Sequence, residues 1–332
     1  MAAWERYLGG DALPPNSLRD VIERSWQRCL SSGVDAGRVQ APTVLPADEL
    51  VALRRRHDEL VEASVRIMAE AHDFLSEPGT IMLLTDPSGV VLQTEGDPGA
   101  LEAAFDIRLI TGANWSELNC GTNAIGTALS TGRPAQVHAG EHFCKGAKPW
   151  TCSATVVRDP VNGEVLGALD LSGLKGTFDQ HCLALVREAA GRMEDWLAAR
   201  EMALRERLLE AGLGRMSRMG SDGLIFFDRK GGLIKADARA GASLVAMGVE
   251  LERAGKIRID AFRTDGDAPG DARGLPPWLK AEWVEPVVEG GARLGTMVVL
   301  PSSPRWETSA TRGALPSVIP ARPRGDHADH FT

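Results

Sequence analysis

The chain has 332 residues, of which 43% are hydrophobic, 25% charged and 5% aromatic. That is enough apolar material for a sizeable core and enough length for two domains. A formal charge of −8 excludes a surface built chiefly to hold nucleic acid.

The N-terminal MAAWERYLGGDALPP has no basic region ahead of an apolar run, so it does not read as a signal peptide. No run of about 18 apolar residues follows anywhere, and the chain is expected to be cytoplasmic, without membrane contact. Residues 16–31 read as a short helix capped by Asn16 or Ser17. A longer helix is expected over 47–75, where Leu53, Leu60, Ile67 and Phe74 recur seven apart. Such a stripe packs on its own domain or forms the seam of a homodimer. His57 on that stripe reads as a packed or edge histidine.

From residue 80 the period shortens. Two β-rich runs around Asp86-Pro87-Ser88-Gly89 form a hairpin pattern. Residues 121–132 look helical, ending at Gly132, and 134–143 look like a strand with its exit loop. A second hairpin is expected over 151–173, turning at Asp159-Pro160-Val161-Asn162-Gly163. Residues 178–211 read as a linker helix whose stripe Arg200 interrupts. Strand, turn, strand and helix then occupy 221–248, and two β runs lie at 283–288 and 292–300. The expected class is α+β, with antiparallel sheets in two domains. The expected limits are an N-terminal extension 1–46, a first domain 47–177, the linker helix 178–211 and a smaller domain 212–302. A disordered tail, 303–332, is expected because the chain from Pro301 holds five prolines and few large apolar residues.

GTNAIG, from Gly121 to Gly126, has the glycine spacing of a phosphate loop, but Thr127-Ala128 follow where such a loop needs lysine. A helix N-terminus is the simpler account. Thr122 or Asn123 caps it, Gly121 turns the chain, and Gly126 and Ala128 let a sheet or ligand approach closely. Cys120, His142, Cys144 and Cys152 are zinc-competent types without zinc spacing, so no metal and no cofactor are expected. The five cysteines follow no repeating spacing and read as thiols of a reducing compartment. Cys120 or Cys152 with His142 lacks a local nucleophile signature. Glu117, Glu141 and Asp170 read as turn, salt-bridge or loop residues.

SWQRC at 25–29, NWSELNCGTNAIGTAL at 114–129, EHF at 141–143, WTCSA at 150–154 and GALDLSG at 167–173 occur in fixed order. Together they resemble the N-terminal sensory region of sigma-54-dependent activators of the acetoin-catabolism-regulator type. The resemblance implies a GAF domain over about 15–175, with the glycine-flanked helix walling an effector cavity. Residues 212–302 resemble the PAS domain that often follows, although Asp237 stands where such domains usually have asparagine. The family's ATPase and helix-turn-helix motifs do not appear, so neither ATP hydrolysis nor DNA binding is carried over.

By matching positions, the resemblance makes Trp115, Asn123, Ile125, His142, Phe143, Trp150 and Cys152 candidates for lining or closing the cavity. It implies a non-enzymatic sensor that binds a small-molecule effector. Its partners would be a second copy of itself and a full-length activator. The other readings are a ligand-free interaction module and a cysteine-based redox or metal sensor.

Overall fold

The computed structural model describes residues 2–11, 14, 17–70, 79–174, 181–216, 222–249, 258–263 and 274–301. In chain order the helices of the first half are α1 (Ala2–Leu8), α2 (Asp20–Ser31), α3 (Ala47–Arg56) and α4 (Asp58–Glu70). β1 (Thr80–Thr85), β2 (Val91–Gly96), α5 (Pro98–Asp106), α6 (Glu117–Cys120) and α7 (Ala124–Thr131) follow. β3 (Ala135–His138), β4 (Trp150–Arg158) and β5 (Val165–Leu174) complete an antiparallel sheet of order β2-β1-β5-β4-β3.

This sheet is covered on both faces, which is why β1 and β4 are buried without alternation. One face presents Ile81, Leu83, Cys152, Ala154 and Ala168 to α2, α7 and the loop after β3. Met82, Leu84, Leu169 and Leu171 point the other way, onto α4 and the first half of α8 (Cys182–Met216). The β1–β2 turn is held by Asp86, whose Oδ1 accepts from the amides of Ser88 and Val90 at 3.0 and 2.7 Å.

The second sheet has the order β7-β6-β9-β8, from β6 (Gly223–Phe227), β7 (Leu233–Ala236), β8 (Val284–Glu289) and β9 (Ala292–Leu300). α9 (Ala238–Ala246) packs Leu244 on one face, and Leu208 of α8 packs on the other. Asp237 N-caps α9 by accepting from the Ala240 amide at 2.7 Å. The α+β class expected from the sequence is therefore the class observed.

Several expectations need correction. The helix predicted over 16–31 starts at Asp20 after Arg19, without a side-chain cap, and Asn16 lies outside the described residues. The helix predicted over 47–75 breaks at His57, and its last residues, with Phe74, also lie outside. Leu53, Leu60 and Ile67 face this chain's own first sheet. α5 was not anticipated, although Asp97 caps it and Pro98 opens it in the ordinary way. Within 134–143 the expected strand is Ala135–His138, and the expected exit loop opens with a 3-10 turn at Ala139. α8 runs to Met216, five residues past its expected end. The predicted tail 303–332 lies outside the described residues.

Candidate functional site

α7 begins where Asn123 caps it. The Asn123 Oδ1 accepts from the Gly126 amide at 2.9 Å, and Nδ2 donates to the carbonyls of Gly121 and Trp115 at 2.8 and 3.0 Å. Both donors of the amide are thus used within the protein. Gly121 has φ +66°, a left-handed turn that a β-carbon would strain. At Gly126 a β-carbon would stand 2.5 Å from the Glu117 amide nitrogen. The backbone that approaches this glycine is therefore the start of α6. The closeness belongs to helix-to-helix packing, which corrects the expectation of a sheet or ligand there.

Glu117 is the centre of that packing. It is 5% exposed, and Arg28 grips it with Nε and Nη2 at 2.7 and 2.8 Å. Ser25 and Thr127 donate to the same carboxylate at 2.5 and 2.9 Å. The Ser25 hydroxyl also lies 2.7 Å from that of Thr122. Residues of SWQRC and of ELNCGTNAIGT thereby close one polar knot, in which Glu117 takes the salt-bridge role among those open to it, but buried.

The loop after β3 lies across the same face. Trp26 donates its indole N–H to Glu141 O at 2.7 Å, and Trp4 of α1 donates to Phe143 O at 2.8 Å. Lys148 donates to His142 O at 2.8 Å while standing over the Trp4 ring. These ties press His142 and Phe143 inward until both are fully buried.

Five of the seven candidates, Trp115, Ile125, Phe143, Trp150 and Cys152, belong to one buried apolar cluster on this face. The Trp115 indole is satisfied by Arg108 O at 3.0 Å. Asn123 and His142 are the polar members. His142 Nδ1 lies 3.1 Å from Ala139 O, which only accepts, so Nδ1 carries the proton. Burial pushes the imidazole down to about 4, leaving Nε2 a bare acceptor with no protein partner.

Asp170 was missed. It lies mid-strand in β5, opposite Ala154 and Leu83, on the face that carries Cys152. Its Oδ2 accepts from Ser172 at 2.5 Å, while the buried Oδ1 has no partner, and burial raises the acid to about 7. The turn role expected for it is corrected by its place in the strand. The signal was the alternation of ALDLS, which sets Asp170 in line with Ala168 and Ser172.

All five thiols are buried. Burial raises Cys120 and Cys152 and pushes Cys144 up to about 12, so these three carry no thiolate near neutrality. Among the described residues, no three His, Cys, Asp or Glu side chains are grouped to hold a metal, and no helix is long and apolar enough to cross a membrane.

Comparison with known proteins places this arrangement. Residues 1–195 match the family model of the MimR N-terminal domain. The chain belongs to the MimR N-terminal domain family. A Bacillus subtilis relative, the acetoin dehydrogenase operon transcriptional activator AcoR, is 31% identical over 66% of this chain and 35% of its own length. The propane 2-monooxygenase operon transcriptional activator MimR of Mycolicibacterium smegmatis is 30% identical, over 65% of this chain and 36% of its own. An uncharacterized 47.3 kDa protein of Rhodococcus erythropolis is 34% identical over 62% and 46%. The match thus spans less than half the length of each relative. Among solved structures, the E. coli DhaR(N)–DhaL complex contains a chain 18% identical, with a TM-score of 0.58, covering 85% of this chain and 99% of that one. That likeness supports the fold. AcoR and MimR are transcriptional activators, and the five motifs read from the sequence all lie within the residues matched by the family model.

Proposed function

We propose that this chain is the signal-receiving part of a transcriptional regulator. Its first unit, a GAF-type domain, holds a small effector between α7, the loop 139–150 and the first sheet. Its second unit, PAS-like, receives the change through α8. The observation that carries the reading is the orphaned His142 Nε2, a buried acceptor beside an otherwise apolar cluster. A buried acceptor without a donor costs about 1–3 kcal/mol, which a ligand hydroxyl would recover. Asp170 Oδ1 supplies a second polar anchor. The effector is accordingly small, largely apolar and uncharged, with at least one hydroxyl donor.

An effector acts only through its different affinity for two arrangements of the protein. Thermal-shift titration is the test, with acetoin and 2-propanol as first probes because two relatives are named for acetoin and propane operons. The expected result is a saturable rise in Tm that His142→Phe abolishes without lowering the unliganded Tm. No shift from any of a panel of small hydroxylated and carbonyl compounds would overturn the reading.

The second reading is a protein-interaction module, favoured by Asn123 and Trp115 meeting their hydrogen bonds internally. The solved DhaR neighbour is in complex with DhaL. Here the partner would be a second copy or a full-length activator. Light scattering that returns a monomer at micromolar concentration speaks against the homodimer.

A further inference from the structure

The four apolar clusters of the described residues divide cleanly between the two units. Leu197 and Met193 of α8 belong with the first sheet, while Leu204 and Leu208 belong with the second. None of these clusters joins residues of both sheets. Among the described residues, what joins the units besides α8 is charge.

The β6–β7 turn, Asp228 to Gly231, reaches into a cleft of about 140 Å³ lined by His57, Glu59, Asp159, Val161, Glu201 and Lys230. Arg229 pairs with Glu59 at 2.8 Å and lies 3.8 Å from Glu201. Lys230 pairs with Asp159, the buried acid that opens the β4–β5 turn. Arg200 of α8 meets the same Glu59 oxygen, Oε1, at 3.0 Å. Arg205 bridges Glu201 and Asp228 at 3.0 and 3.1 Å. Arg258 adds a contact to Glu164 at 3.7 Å. The partners hold Glu59 and Asp159 below the usual carboxylate range, so both are ionised throughout the neutral range.

We infer that this turn is an ion-pair latch: Arg229 and Lys230 dock the second unit on Glu59 and Asp159, and the latch opens while both units stay folded. An apolar joint would have to expose buried hydrocarbon to open. A charged joint exchanges protein partners for water and salt, so its closed and open states lie near each other in energy. The α8 segment between Leu197 and Leu204, where the helix passes from one core to the other, is the pivot. Arg200 and Glu201 lie within that segment and are themselves latch members, so opening there frees the pivot as well. The latch needs no effector in order to exist.

The test is a distance measurement on the full chain, with spin labels on Leu118→Cys in the first unit and Val245→Cys in the second. Both positions are exposed, and the native thiols are buried. At low ionic strength the wild-type background shows one narrow distance. In Arg229→Ala/Lys230→Ala, a second, longer distance rises at least about tenfold in population, as expected for two part-buried pairs. The unsubstituted latch shows the same change at about 1 M salt, where the screening length falls to about 3 Å. Arg229→Lys, which keeps the charge, stays mostly closed. One unchanged distance across the variants and the salt series overturns the latch. If the double variant loses helical ellipticity, the salt series alone decides.

Discussion

Arg28 and Glu117 lie 89 positions apart and meet through two parallel hydrogen bonds, at 2.7 and 2.8 Å. The pair joins α2 to the start of α6, and Ser25 and Thr127 complete its coordination. Glu117→Ala leaves these donors facing a cavity. It should destabilise the first unit by about 2–4 kcal/mol in urea unfolding, toward the lower end because Arg28 reaches solvent. A double-mutant cycle with Arg28→Ala should show a coupling of about 1 kcal/mol or more. Additive effects would mean that the pair is incidental.

Two glycines make opposite forecasts. Gly126→Ala forces a β-carbon onto the Glu117 amide and should cost about 1–3 kcal/mol, seen as a lower urea midpoint. Gly191 lies inside α8, and a β-carbon added there would meet nothing within 4 Å. Gly191→Ala should therefore raise stability by about 0.5–1 kcal/mol. If both substitutions move the midpoint the same way, the packing described for α7 is wrong.

His142 and Asp170 tilt the pH dependence in opposite directions. His142 titrates near 4 when folded and near its ordinary 6.5 when unfolded. Its contribution is fully present above 6.5 and fades as pH falls toward 4, because the unfolded chain binds the extra proton. Asp170 is raised to about 7 from 3.8, so the folded chain binds the extra proton. Its contribution is fully present below 3.8 and fades as pH rises through 7. Between about pH 4.5 and 6.5 the two slopes cancel. Removing one exposes the other: Asp170→Asn should gain stability with rising pH across that window, and His142→Gln should lose it. Each slope should approach about 1.4 kcal/mol per pH unit in urea melts. Parallel profiles for both variants would contradict the burial of these groups.

Burial also governs the thiols. Ellman's reagent should leave all five cysteines unmodified on a timescale of minutes in the native protein and titrate all five in denaturant. Rapid modification of Cys120 or Cys152 before unfolding would revive the redox-sensor reading.

Much of this fold was legible in the sequence, for reasons local to each segment. Asp86-Pro87-Ser88-Gly89 and Asp159 to Gly163 are turns because their side chains and glycines bond their own backbone. Asn123 and Gly132 bound α7 because an amide cap and a left-handed glycine need only near neighbours. The break at His57 was not legible, since a seven-residue apolar stripe continues through it and only the packing of α3 and α4 on the first sheet ends the helix. The same division holds at the site. The sequence alone determined which residue types occur in fixed order and that GTNAIG lacks the lysine of a phosphate clamp. Tertiary structure decided what those residues do: Glu117 became a buried hub, His142 an acceptor, and Asp170 an inward carboxyl. Those outcomes depend on which atoms from distant segments withhold or supply a hydrogen bond once water is excluded, and no local pattern encodes that.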